Sequence, residues 1–248
     1  MQSRNQGRAS ERYIDSCMRE KSELFSCAES GDFGPCRLNS NAVTAHITRD
    51  LLEIALVLAF ILVAVWTPQG PVNSFFSIVA AACVVAFAIA GRWGAREMGL
   101  TRPLAGAVNV LLAGALLCGA IAAFGAALRF AGAGYPLPWS RSWQYALWAL
   151  QQEFILQSVF FLRLESVLGS RRAVWAAASL YAVVHVPSLL LTILSFLGGL
   201  LFCEFFRRCR NLYPLGIIHA VLGLTIAASM PDGWLHHMRV GIGYLMMH

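Results

Sequence analysis

Three ionisable side chains stand inside apolar stretches of this sequence. Glu153 lies in Gln151-Gln152-Glu153-Phe154-Ile155-Leu156-Gln157, His185 closes Tyr181-Ala182-Val183-Val184-His185, and His219 opens His219-Ala220-Val221-Leu222-Gly223. A carboxylate and two imidazoles can together activate a water, polarise a carbonyl and return a proton to a leaving amine. Two His and one carboxylate also make a catalytic zinc set. These His residues fall in separate segments without a His-Glu-x-x-His motif, so a divalent metal is permitted and not indicated. A spacing of four puts Glu153 with Gln157, Tyr181 with His185, and His219 with Gly223 on shared helical faces. The competing readings are a proton or ion pathway and a structural polar network, in which a His ends a helix and a Gln bridges two. A buried Glu is the hardest to explain structurally, because burial penalises its charge.

The elements that must position these residues are set by composition. Of 248 residues 58% are hydrophobic and 13% charged, and beyond Ile54 the only carboxylates are Glu97, Glu153, Glu165, Glu204 and Asp232. A soluble surface cannot be covered by so little charge, so lipid is the expected solvent from residue 51 onward. Seven apolar segments follow, near 51–67, 73–90, 104–128, 143–162, 173–186, 188–206 and 212–230. The expected fold is an all-α, polytopic transmembrane bundle of about seven spans, with six and eight as the neighbouring counts. The net charge of +6 falls largely between the segments, where it orients a membrane protein rather than binding nucleic acid. Arg49, then Arg92, Arg96 and Arg102, then Arg163, Arg171 and Arg172, then Arg207, Arg208 and Arg210 mark alternate connections, and the others are nearly bare. That alternation predicts a cytoplasmic N-terminus. Measured from Arg163, Arg172 and Arg210, the three ionisable residues lie 10, 13 and 9 positions into their segments. At a rise of 1.5 Å per residue these are depths of roughly 15, 20 and 14 Å, which predicts one shared site near mid-membrane.

Residues 1–48 are polar and aperiodic, lack the apolar stretch of a secretory signal, and are expected to form a disordered cytoplasmic extension before a membrane domain over 49–248. The tail from Trp234 to His248 is amphipathic and expected at the interface. The seven cysteines follow no zinc or disulfide spacing and read as small packing residues. Absence of Lys after Lys21, with abundant Ala, Gly and Arg, suggests a GC-rich bacterial genome and hence the inner membrane. Nothing in the sequence sets an oligomeric state.

At its polar residues the chain resembles the CAAX protease and bacteriocin-processing (CPBP) family of intramembrane glutamic endopeptidases. That family carries Glu-Glu-x-x-x-Arg, then Phe-x-x-x-His, then His-x-x-x-Asn on three successive helices. The counterparts here are Gln152-Glu153-x-x-x-Gln157, Tyr181-x-x-x-His185 and His219-x-x-x-Gly223, within residues 140–225, and Asn211-Leu212-Tyr213-Pro214-Leu215-Gly216 resembles the lead-in to the last motif. The resemblance implies cleavage of a peptide bond in a membrane protein or peptide, lipidated or sorting-related, without a cofactor. It implies Glu153 and His185 on the water and His219 on the oxyanion, with Gln152, Gln157 and Tyr181 in support. Gln152 cannot be a base, Gln157 replaces the Arg, and Gly223 removes the Asn amide. Two expectations follow: a divergent protease with Glu153 as base, or an inactive scaffold or chaperone that binds membrane partners.

Overall fold

Backbone N–H and C=O groups find no water inside a bilayer, so a continuous apolar run satisfies them within itself as a helix. The computed structural model, which describes residues 25–26, 37–38, 40–128, 130, 134 and 136–246, is accordingly almost entirely helical. The chain divides into two compact units, Met1–Leu51 and Leu52–His248. In the first, Phe25–Ser26 (β1) pairs antiparallel with Arg37–Leu38 (β2). The rest of the expected N-terminal extension lies outside the described residues up to Ser40, where helix α1 begins, eight positions inside the segment expected to be polar extension.

The helices in order are α1 (Ser40–Trp66), α2 (Pro71–Ala90), α3 (Ala107–Ala127), α4 (Trp139–Phe154), a π-helical stretch (Ile155–Phe161), α5 (Leu162–Leu168), α6 (Ser170–Val183), α7 (Leu189–Cys209) and α8 (Leu212–Ser229). Short helices α9 (Asp232–Leu235) and α10 (Ile242–Leu245) flank a 3₁₀ turn in the amphipathic tail. Helix α4, the π stretch and α5 follow one another without a break. Gly169, at a positive φ of 78°, then ends that run before α6.

Four of these helices, α2, α3, α7 and α8, are long and apolar enough to cross a membrane. The protein is therefore a multi-pass membrane protein. The other apolar segments also form helices, but length and composition do not by themselves make them spans, so the expected count of seven stays a proposal. Surface chemistry agrees with a lipid solvent: Ile89, Leu104, Leu116 and Leu189 are exposed, while Glu53, Glu153 and Arg163 are buried. Charge is inside and hydrocarbon outside, the reverse of a soluble domain.

Close helix contacts come from small residues, as expected where apolar side chains gain nothing by leaving lipid. A Cβ at Gly114 of α3 would strike the side chain of Ile218 on α8, and one at Gly216 of α8 would lie 2.6 Å from Leu150 Cδ1 on α4. A Cβ at Gly199 of α7 would lie 3.1 Å from Ala178 Cα on α6. Helix α8 is anchored at its start by Asn211, whose side-chain oxygen accepts from the Tyr213 N–H while its amide donates to the carbonyls of Pro103 and Ala105 at 2.9 and 2.8 Å. That residue both caps the helix and ties it to the loop before α3.

One sequence expectation is corrected. Arg163 is not a loop charge marking the cytoplasmic face. It lies in α5, 1% exposed. Its Nε donates to Glu53 Oε2 at 2.7 Å, Nη1 to the carbonyls of Ser158 and Val159, and Nη2 to the carbonyl of Phe87. Nη2 also lies 2.6 Å from Glu53, and the guanidinium stacks over Trp93 at 4.7 Å. Burial is tolerable because every guanidinium N–H has an acceptor. The depth given to Glu153 by counting from Arg163 loses its marker, and its placement rests instead on direct contacts.

Candidate active site

Glu153 lies in the last turn of α4, and the π stretch begins two residues later. Where a helix passes from four-residue to five-residue hydrogen-bonding steps it gains one residue, seen here in the Leu162 N–H bonding to the Gln157 carbonyl. On returning to four-residue steps one carbonyl is skipped, and the Arg163 Nη1 sits at that point, 3.0 Å from the Ser158 carbonyl. The π stretch is thus closed off by the same guanidinium that holds Glu53. It leaves Glu153 and Gln157 facing the neighbouring helices, both fully buried.

Glu153 is the hub of the polar cluster. Its Oε1 lies 2.9 Å from Nδ1 of His219 on α8, and its Oε2 accepts from Gln157 Nε2 at 3.1 Å. Nε2 of His219 lies 3.3 Å from the Tyr181 hydroxyl on α6, which in turn is 3.4 Å from Gln152 Oε1 on α4. Glu153, His219, Tyr181 and Gln152 therefore form one chain across three helices. A carboxylate accepts, so the His219 Nδ1 carries the proton between them, and Nε2 faces the phenol. The ring of Phe202, on α7, stacks on His219 at 5.4 Å and 20° and fixes its plane.

His185 stands beside this chain. Its Nδ1 is 2.8 Å from the Tyr181 carbonyl one turn earlier. A carbonyl cannot donate, so Nδ1 bears the hydrogen and the neutral ring keeps its lone pair on Nε2. Its ring also packs edge-on against Tyr181, centroids 4.8 Å apart. The turn after it, which contains the cis Val186–Pro187 bond, receives the Gly241 N–H on the Val186 carbonyl, so the C-terminal tail braces the end of α6.

All six residues singled out in the sequence thus meet around Tyr181 and Glu153, with His185 joined through Tyr181 rather than bonded to the carboxylate. Reasoning from sequence missed Phe202, Arg163 and Tyr145, the last of which places its hydroxyl against Gly223. Only Tyr145 left a signal, at eight residues before Glu153 and so on the same face of α4. Among the described residues no three His, Cys, Asp or Glu side chains are grouped as metal ligands would be.

The order of these motifs on three adjoining helices can be set beside known proteins. Residues 136–225 match the family model for Rce1-like proteins, type II CAAX prenyl endopeptidases. This stretch is of the CPBP family. The resemblance drawn from the three motifs is borne out there, and the matched stretch of this CPBP segment holds Glu153, His185 and His219 together with Tyr181, Phe202 and Gly223. No curated protein and no solved structure matches the chain.

Proposed function

We propose that the protein is an intramembrane endopeptidase in which Glu153 activates water against a peptide carbonyl. The observation that carries this reading is the direct Glu153–His219 contact beside a second imidazole whose Nε2 lone pair has no partner among the described residues. Water between the Glu153 carboxylate and His185 Nε2 loses a proton as its oxygen bonds to the carbonyl carbon. His219, fixed by Glu153 and Phe202, stabilises the developing oxyanion in its doubly protonated form, with Nδ1–H on Glu153 and Nε2–H turned from the Tyr181 hydroxyl to the oxygen. The carbon–nitrogen bond then breaks, and the amine leaves with the proton. Gln157 and Gln152 take the orienting positions, one on Glu153 and the other on Tyr181. The Rce1-like match supports a prenylated CAAX-type protein or peptide as the substrate class, and the composition supports a bacterial inner membrane as the place where it is met.

The test has two arms. Purified protein in proteoliposomes is given an internally quenched, farnesylated peptide ending in a CAAX box, and cell membranes with and without the gene are compared for changed protein termini. Cleavage by wild type and its loss in Glu153→Ala supports the reading. Equal cleavage by both, or none by wild type in either arm, overturns it.

A second reading has its own observation. Glu153 is fully buried and both its oxygens are bonded within the protein, as in a structural network of an inactive scaffold. On that reading Glu153→Ala disturbs folding and no cleavage depends on it.

A further inference from the structure

Tyr145 carries a hydroxyl that the hydrogen-bonded chain does not use. It projects from α4 on the face shared with Ala149 and Glu153, and it comes to rest against Gly223 of α8. A Cβ at Gly223 would lie 2.6 Å from Tyr145 Cζ and 2.9 Å from Cε1, and nearer still to the hydroxyl. The absence of a side chain at position 223 is therefore what gives the phenol its place. The residue is partly exposed, and among the described residues its hydroxyl donates to no group of the protein. Through its contact with Gly223, on the helix that carries His219, Tyr145 borders the Glu153–His219–Tyr181 chain.

Gly223 follows His219 by one turn of α8, a rise of about 6 Å. The phenol thus stands one helical turn along α8 from the position that carries the imidazole. We infer that Tyr145 is a further catalytic residue of this site, whose hydroxyl donates a hydrogen bond to the carbonyl oxygen of the scissile peptide as that oxygen becomes negative. The inference rests on the endopeptidase reading above. In the step concerned, the water oxygen bonds to the carbonyl carbon, its proton passes to Glu153, and the carbonyl π pair moves onto oxygen. Tyr145 keeps its proton throughout and supplies only the hydrogen bond. When the carbon–nitrogen bond breaks, the nitrogen takes the proton from Glu153 and the oxygen returns to a carbonyl.

Gly223 then has a second meaning. It is a gap filled from another helix, so that a phenol of α4 stands where a longer side chain on α8 would otherwise point.

The experiment uses the full-length protein in proteoliposomes with the farnesylated, quenched peptide, reading kcat and KM separately and the thermal midpoint of each variant. Tyr145→Phe is expected to lower kcat by about 10²–10³-fold with little change in KM or midpoint. Gly223→Ala, which pushes the phenol aside without deleting it, is expected to lower kcat similarly and to add nothing to Tyr145→Phe. Tyr145→Phe combined with Gly223→Asn, which offers an amide in place of the hydroxyl, is expected to recover part of the loss. Wild-type kcat in Tyr145→Phe, while Glu153→Ala is inactive, overturns this inference and leaves the endopeptidase reading standing. A loss confined to KM also overturns it. Should Tyr145→Phe fail to fold, an undiminished kcat in Gly223→Ala does the same. Full cleavage by Glu153→Ala, or none by wild type, overturns the endopeptidase reading and this inference with it.

Discussion

Nδ1 of His219 lies 2.9 Å from Oε1 of Glu153, across 66 residues of chain and between two helices that meet at Gly216 and Leu150. The contact depends on direction as well as proximity. Helical side chains lean toward the N-terminus of their own helix. Leu150 faces Gly216 and Tyr145 faces Gly223, so α4 and α8 run antiparallel and their side chains lean toward each other's C-terminal ends. Glu153 and His219 close the gap from opposite sides.

Glu153→Gln separates chemistry from folding. The new amide oxygen can still accept from His219, and its NH₂ can donate to Gln157 Oε1, a buried atom that has no partner among the described residues. The expected outcome is a thermal midpoint at or above wild type, with cleavage of the farnesylated peptide reduced by about 10²–10⁴-fold, the range for loss of a general base. A midpoint far below wild type would show that the carboxylate charge is structural.

His185→Ala should also spare stability. Among the described residues the side chain makes one hydrogen bond, to the Tyr181 carbonyl of α6, so about 1 kcal/mol is at stake. If Nε2 helps take the proton from water, kcat falls by about 10²-fold or more while the unfolding midpoint barely moves. Unchanged kcat would remove His185 from the mechanism.

Arg163→Ala leaves Glu53 buried without its cation and is expected to destabilise the protein by about 3–5 kcal/mol. Replacing both, as Arg163→Met with Glu53→Leu, should restore most of that loss. Unfolding of wild type and both variants in a single detergent checks it. A double variant as unstable as the single one would mean that the skipped Ser158 carbonyl, rather than the lone carboxylate, governs the effect.

Asn211→Asp tests the anchor of α8. Aspartate can still cap Tyr213, but it presents a charge to the carbonyls of Pro103 and Ala105, which the amide now satisfies. Loss of the cap alone costs about 1 kcal/mol. The Asp variant is therefore expected to be at least as unstable as Asn211→Ala, by thermal unfolding, and an Asp variant as stable as wild type would contradict the assignment.

Much of the site could be read from the sequence because a polar residue in an apolar run costs free energy that only a partner or a function offsets. Glu153, His185 and His219 stood out for that reason, and spacing of four supplied Gln157 and Tyr181. Arg163 misled because it follows Phe160-Phe161-Leu162, where a long apolar run gives way to charge. Only its partner Glu53, 110 residues earlier, turns it from an end marker into a buried group. Tyr145 was hidden because its significance lies in what Gly223 lacks. The π stretch was invisible, since the hydrogen-bond step of a helix is decided by packing around it rather than by local residue types.

That stretch also lets one helix answer to two sets of neighbours. One added residue rotates everything beyond it by about 100° relative to a uniform α-helix. The half carrying Glu153 is phased toward α6 and α8, and the half carrying Arg163 toward α1 and α2. Excising a single residue between Gln157 and Phe161 would bring the two halves into one phase. The bundle could then keep its ion pair or its carboxylate in place, but not both.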